Sequence, residues 1–209
     1  MRSPLRTGWS RPAAERDQGG ALMLGCYDFC AHYEWTFQWL HEQGGPALVR
    51  QYWAEAISRE SQFHARELIR ADGFEGMSKY WGATLLEESP DAGYHITSTP
   101  RLFRIDMLDC PSKGFLIRNG LEQYGDYCDH CIGWIGPMMK EAGFVIDHEH
   151  NHGGQCWWEM RRSDDATPPS SPGGLSAHDV RNLPGWLPEN GKLDRYRRAV
   201  DPDDKAEEG

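Results

Sequence analysis

A chain of 209 residues allows one domain with tails, or two very small domains. Its hydrophobic share of 39% is low for a globular chain, yet nine Trp, eight Tyr and seven Phe supply enough apolar surface for a core. A net charge of −10 with no basic stripe argues against nucleic acid as a partner and against an anionic membrane surface, and no apolar run is long enough to span a bilayer.

Residues 1–20 are rich in Arg, Pro, Gly and Ser and read as a disordered leader. They contain no apolar stretch of the kind a secretory signal needs, so the expected location is cytoplasmic, where thiols stay reduced. From Gly25 the apolar spacing predicts a helix. Cys26, Phe29, Cys30, Tyr33, Phe37 and Leu40 recur every three or four residues as one stripe. Gly44 and Gly45 end it, and Pro46 starts a second helix that stops near Gly73. A third runs from Phe74 to about Glu88, with Met77, Trp81 and Leu85 on one face and Pro90 closing it. Cys26 and Cys30 fall on the apolar stripe and read as core, while His32 and His64 are isolated on their helices.

Two strands follow, Tyr94 to Thr99 and Leu102 to Leu108, separated by Pro100. Cys110-Pro111-Ser112 reads as a strand end entering a helix that Ser112 caps and that runs to about Leu121. Asp126 caps a further helix on which Cys128, Cys131, Ile132 and Ile135 share a face, with a kink at Gly136-Pro137. Phe144 to His150 and Gln155 to Arg161 form a closing hairpin. A three-residue turn, His152 to Gly154, pairs Ile146 with Met160, His148 with Trp158 and His150 with Cys156. That choice puts the large apolar groups on one face, and burial of one face fixes register. After Ser163 the composition is that of a linker, followed by an acidic tail in which Trp186 is a candidate anchor. The fold class is therefore α+β: N-terminal helices packed on a small antiparallel sheet that ends in a β-hairpin. One domain spans residues 21–163, with residues 164–209 as linker and tail.

The chemistry concentrates in Cys110, Cys128-Asp129-His130-Cys131, His148-Glu149-His150-Asn151-His152 and Cys156. Thiolates and imidazoles are the ligands zinc prefers, so Cys128, Cys131, His148 and His150 are candidate ligands for zinc or another divalent metal. The spacing matches no standard zinc finger. As catalysts, Cys156 and Cys128 are candidate nucleophiles, and His148 and His150 candidate bases. Cys156 sits beside His150 in the expected register, and an adjacent imidazolium lowers a thiol pKa. Cys128, two residues past the expected cap, lies at the positive end of a helix dipole. Glu149 alternates to the other face and is expected in solvent, as is His152 at the turn. The chain has no glycine-rich dinucleotide turn, no P-loop, no H-E-x-x-H and no G-x-S-x-G.

Cys110-Pro111, Tyr127-Cys128-Asp129 and Gly153-Gly154-Gln155-Cys156-Trp157, with Gly44-Gly45 before the second helix, resemble the L-2-amino-thiazoline-4-carboxylic acid hydrolase-like family over roughly residues 24–162. The hairpin region also looks like the 4-vinyl reductase-like small-molecule-binding domains. The histidine run and Cys131 depart from the family pattern. The resemblance implies a hydrolase opening a small cyclic carbon–nitrogen or carbon–sulfur compound, thiazoline- or amide-like. The alternative is a non-catalytic sensor that binds a small molecule or zinc at the same residues. The many aromatics on the first two helices make a homodimer an expectation.

Overall fold

The computed structural model describes residues 24–88, 93–122, 124–151, 153–175, 177–184 and 186. The expected leader, Pro90, His152 and the far tail lie outside them. Helix α1 spans Leu24–Tyr52 and is bent at Gly45, whose φ of 69° is left-handed backbone that glycine adopts without strain; Pro46 restarts the helix. The expected second helix is interrupted. A π-helical segment, Trp53–Ser61, turns Trp53, Ile57 and Ser58 inward before α2 (Phe63–Asp72) begins. Helix α3 runs Phe74–Glu88, with Met77, Trp81 and Leu85 buried as their spacing predicts.

Strands β1 (Tyr94–Thr99), β2 (Leu102–Met107), β3 (Phe144–His150) and β4 (Cys156–Arg162) form one antiparallel sheet in the order β1-β2-β4-β3. Between the two hairpins lie α4 (Pro111–Asn119) and α5 (Asp129–Glu141). Helix α5 runs on through Gly136 and Pro137 to Glu141. The class is thus α+β, with N-terminal helices preceding a four-stranded antiparallel sheet. No helix among the described residues is long and apolar enough to cross a membrane.

The hairpin register is the expected one: Ile146 faces Met160, His148 faces Trp158 and His150 faces Cys156. Successive side chains alternate across a strand, so this pairing sorts the sheet into two unlike faces. Phe103, Ile105, Phe144, Ile146, Trp158 and Met160 meet Met77, Trp81, Ile135 and Met138 of α3 and α5 in the main core. A second cluster, built on Phe37, Val49, Trp53, Leu116 and Tyr127, joins α1 to α4 and the turn before α5. Trp53 packs on α5 where the chain is Gly133, since a Cβ there would stand 2.5 Å from Trp53 Cε3. Phe29, expected on the buried stripe, is 64% exposed, whereas Cys30 and Phe37 of that stripe are buried.

The opposite face is buried too, and it is ionic. Arg104 Nε and Nη2 donate to Asp106 at 2.8 and 2.6 Å, Nη1 donates to Glu159 at 3.1 Å, and Nη2 lies 3.2 Å from Asp179. Glu159 also pairs with Arg161. The segment after Ser163, expected as a linker, covers this face. Ser170 N donates to Glu159 Oε1 at 2.9 Å, Val180 N donates to Asp106 Oδ1 at 3.1 Å, and Arg181 stacks on Trp157 with its Cζ 4.6 Å from the ring centroid. Charged β-strand residues that composition assigns to solvent instead need this strap, because a buried charge is tolerated only when paired and hydrogen-bonded. Glu149 is corrected in the same way: it is buried, and its Oε2 accepts from Trp157 Nε1 at 2.9 Å. Burial pushes the Asp179 carboxyl up, but hydrogen bonds from Arg181 and from backbone amides, with the Arg104 charge, outweigh it and hold the carboxyl at about 2.

Arg104→Leu leaves three buried carboxylates without their shared cation. It should cost about 3–5 kcal/mol of unfolding free energy by urea titration, the usual effect of breaking a buried ion pair from one side. A cost below about 1 kcal/mol would show that the network does not hold the strap to the sheet.

Candidate active site

The hairpin places His148, His150 and Cys156 on the helix-facing side of the sheet, at its end nearest the loop. Asn151 builds that loop. Its Oδ1 accepts from Gly153 N at 2.9 Å and Gln155 N at 3.2 Å, and its backbone N donates to Gln155 O at 3.1 Å. Gly154 takes a φ of 88° that favours glycine, and its carbonyl accepts from Cys110 N at 2.7 Å. The hairpin tip is thereby pinned to the start of α4.

Cys110, not Ser112, caps α4: Cys110 Sγ accepts from Lys113 N at 3.4 Å, with Pro111 as the first helical residue. Ser112 is inside the helix and bonds Tyr127 Oη at 2.5 Å. Helix α5 also starts later than its sequence suggests. The turn Asp126–Asp129 closes first, so Cys128, not Asp126, is the cap residue, and its side chain makes no capping bond.

These elements close around a small cavity of about 20 Å³, room for roughly one water molecule as it stands. Its walls hold all the sequence-derived candidates: Cys128, Cys131, His148, His150 and Cys156. They also hold Cys110 and His130, which the sequence counts in the cluster without a role of their own, and Lys113 and Tyr127, which spacing gives no role. His32 and His64 are exposed and outside it, and Cys30 is core.

Inside the cavity wall, His150 Nε2 is 3.1 Å from Asp129 Oδ1, and both residues are buried. Cys156 is the cross-strand neighbour of His150 on the same face, where paired Cβ atoms stand about 4.5–5.5 Å apart. Thiol, imidazole and carboxylate are thus in sequence. Asp129 went unassigned because its link to His150 crosses 21 residues from helix to strand. The only signal in the sequence was its place inside C-D-H-C.

The thiols are not the acidic ones expected. Each keeps some surface open to the cavity but is otherwise enclosed by protein, and desolvation pushes all four up. Cys131 and Cys156 stand well above the ordinary thiol value, and Cys128 and Cys110 are raised as well. After burial, Cys110 is the strongest charge influence on each of the other three, which makes it the central thiol of the group. Its own rise is offset in part by the Lys113 and Ser112 amides. Among the described residues, no three His, Cys, Asp or Glu side chains are placed to hold a metal ion together. Cys128, Cys131, His148 and His150 line the cavity without forming such a group. Comparison with protein-family models, curated proteins and solved structures gives no match.

His130 is held neutral. Burial lowers it to about 4, although Tyr127 O, 2.6 Å from its Nδ1, and the Asp129 charge act to raise it. A histidine depressed in the fold contributes stability above its free value of 6.5, and loses it as pH falls towards 4. Replacing His130 by Gln should remove that dependence. The stability difference between the two proteins should shift by on the order of 3 kcal/mol between neutral pH and pH 4, measured by urea unfolding. A difference that stays constant with pH would place the titration elsewhere.

Proposed function

We propose that the protein is a thiol-dependent hydrolase acting on a small cyclic carbon–nitrogen or carbon–sulfur compound of thiazoline or amide type. The observation that carries this reading is the chain Cys156, His150, Asp129, in which the first two line one small cavity and Asp129 bonds His150. The substrate class rests on the resemblance of Cys110-Pro111, Tyr127-Cys128-Asp129 and Gly153 to Trp157 to the thiazoline-carboxylate hydrolase-like family.

Burial pushes the Cys156 thiol well above its ordinary value, so the attacking sulfur needs a base. His150 is then a general base, and Asp129 fixes its ring through Nε2 and stabilises the imidazolium as it forms. Cys156 Sγ attacks the electrophilic ring carbon while its proton passes to His150. That proton is delivered to the ring nitrogen or sulfur as its bond to carbon breaks. Water, deprotonated by the same imidazole, displaces the thiol and restores the site. Of the two candidate nucleophiles, Cys156 is preferred over Cys128 because it is the cross-strand partner of the histidine held by a carboxylate. The cavity as it stands holds little more than a water, so a compact ring must part its walls to enter.

Cys156→Ala should lose nearly all turnover on a panel of cyclic thiazolines and amides while keeping its circular dichroism and unfolding midpoint. Asp129→Asn should lower kcat about 10²–10⁴-fold with a smaller effect on KM. Full activity in Cys156→Ala removes that residue from the mechanism. Ligand binding without turnover in the unmutated protein identifies a binding module in place of an enzyme.

A further inference from the structure

We propose that Cys128 and Cys131 form a redox-active dithiol, which a low-molecular-weight disulfide oxidises to an intramolecular disulfide across the first turn of α5. The hydrolase reading needs neither thiol as its nucleophile, so this inference stands apart from it.

The two residues are the cap and the third residue of α5, and both sulfurs face the same cavity. Residues three apart at a helix start have Cβ atoms about 5–6 Å apart, and a disulfide needs about 3.5–4.5 Å. The gap closes with little disturbance here. The Cys128 side chain makes no capping bond that would have to be given up. The amides of Asp129 and His130 are already taken by Asp126 O and Tyr127 O, so the turn keeps its backbone bonds. The other two thiols are less free to move. Cys110 Sγ accepts from Lys113 N, and Cys156 is fixed in β4 between β2 and β3.

Cys131 packs against the main core and lies 3.8 Å from His130 Nε2; Cys128, at the cap and outside that cluster, is assigned the first attack. Cys128 Sγ, as thiolate, attacks one sulfur of the reagent. A mixed disulfide forms and one reagent thiol leaves. Cys131 Sγ then attacks Cys128 Sγ, and the second reagent thiol leaves. Two electrons and two protons pass from the protein dithiol to the reagent, which ends as two thiols. The turn that the disulfide closes carries Asp129, the residue that holds His150.

The test uses the full chain with oxidised glutathione at mildly alkaline pH. An acid quench, alkylation under denaturing conditions and peptide mass mapping follow. Of the six thiols, two should be lost, and the peptide holding Cys128 and Cys131 should be lighter by two hydrogens. Cys131→Ser should trap glutathione on Cys128, with circular dichroism confirming its fold. A disulfide joining any other pair, or retention of all six thiols, overturns the proposal. So does a folded Cys131→Ser protein that carries no glutathione on Cys128.

Discussion

Everything about the site depends on the register of one hairpin. With three residues between Asn151 and Gln155, His150 stands opposite Cys156, and both share a face with Ile146, Trp158 and Met160. A slip of one residue would send Cys156 into the ionic face, among Arg104, Asp106 and Glu159. Burial of the apolar row resists that slip, at roughly 1.5–3 kcal/mol for each large side chain removed from water. The same burial that fixes the register also desolvates the functional groups at its end. Packing and chemistry are therefore coupled through one strand pairing.

The second face of the sheet is the counterpart of that arrangement. Alternation along β2 and β4 that puts Ile105, Trp158 and Met160 in the core must put Arg104, Trp157 and Glu159 opposite. These are closed over by residues 170–181, whose amides and whose Asp179 and Arg181 complete the ionic network. The strap holds β4 from behind, so the strand bearing Cys156 is fixed on both faces.

Much of this was legible in the chain. Periodicity located α3, β1 and β2 to within a residue, and the hydrophobic pattern gave the β3–β4 register because only one pairing collects the apolar groups on one side. The gathering of Cys128, Cys131, His148, His150 and Cys156 followed from density in the sequence. What stayed illegible is long-range and polar. Glu149 was read as solvated because alternation says which face it takes and nothing of what covers that face. The strap looked like a linker because Pro, Gly and Ser, which favour turns, also permit an extended segment to lie on a sheet. Lys113 reaches the cavity, and Asp129 reaches His150, only through tertiary packing. The caps moved by two residues in opposite directions: the Cys110 side chain caps α4, and before α5 the backbone turn Asp126–Asp129 takes the amide that a side chain was expected to take.

Burial that raises the thiols sets how such a site can work. A nucleophile held protonated depends on a base that is itself oriented, which gives the His150–Asp129 contact its importance over the mere nearness of sulfur and imidazole. The most direct measurement is to trap the covalent intermediate. The protein is mixed with a cyclic thiazoline or amide that it turns over, quenched in acid on the millisecond-to-second scale, and mapped by peptide mass spectrometry. The account predicts a substrate-derived adduct on Cys156. An adduct on Cys110, Cys128 or Cys131 with Cys156 unmodified would contradict it.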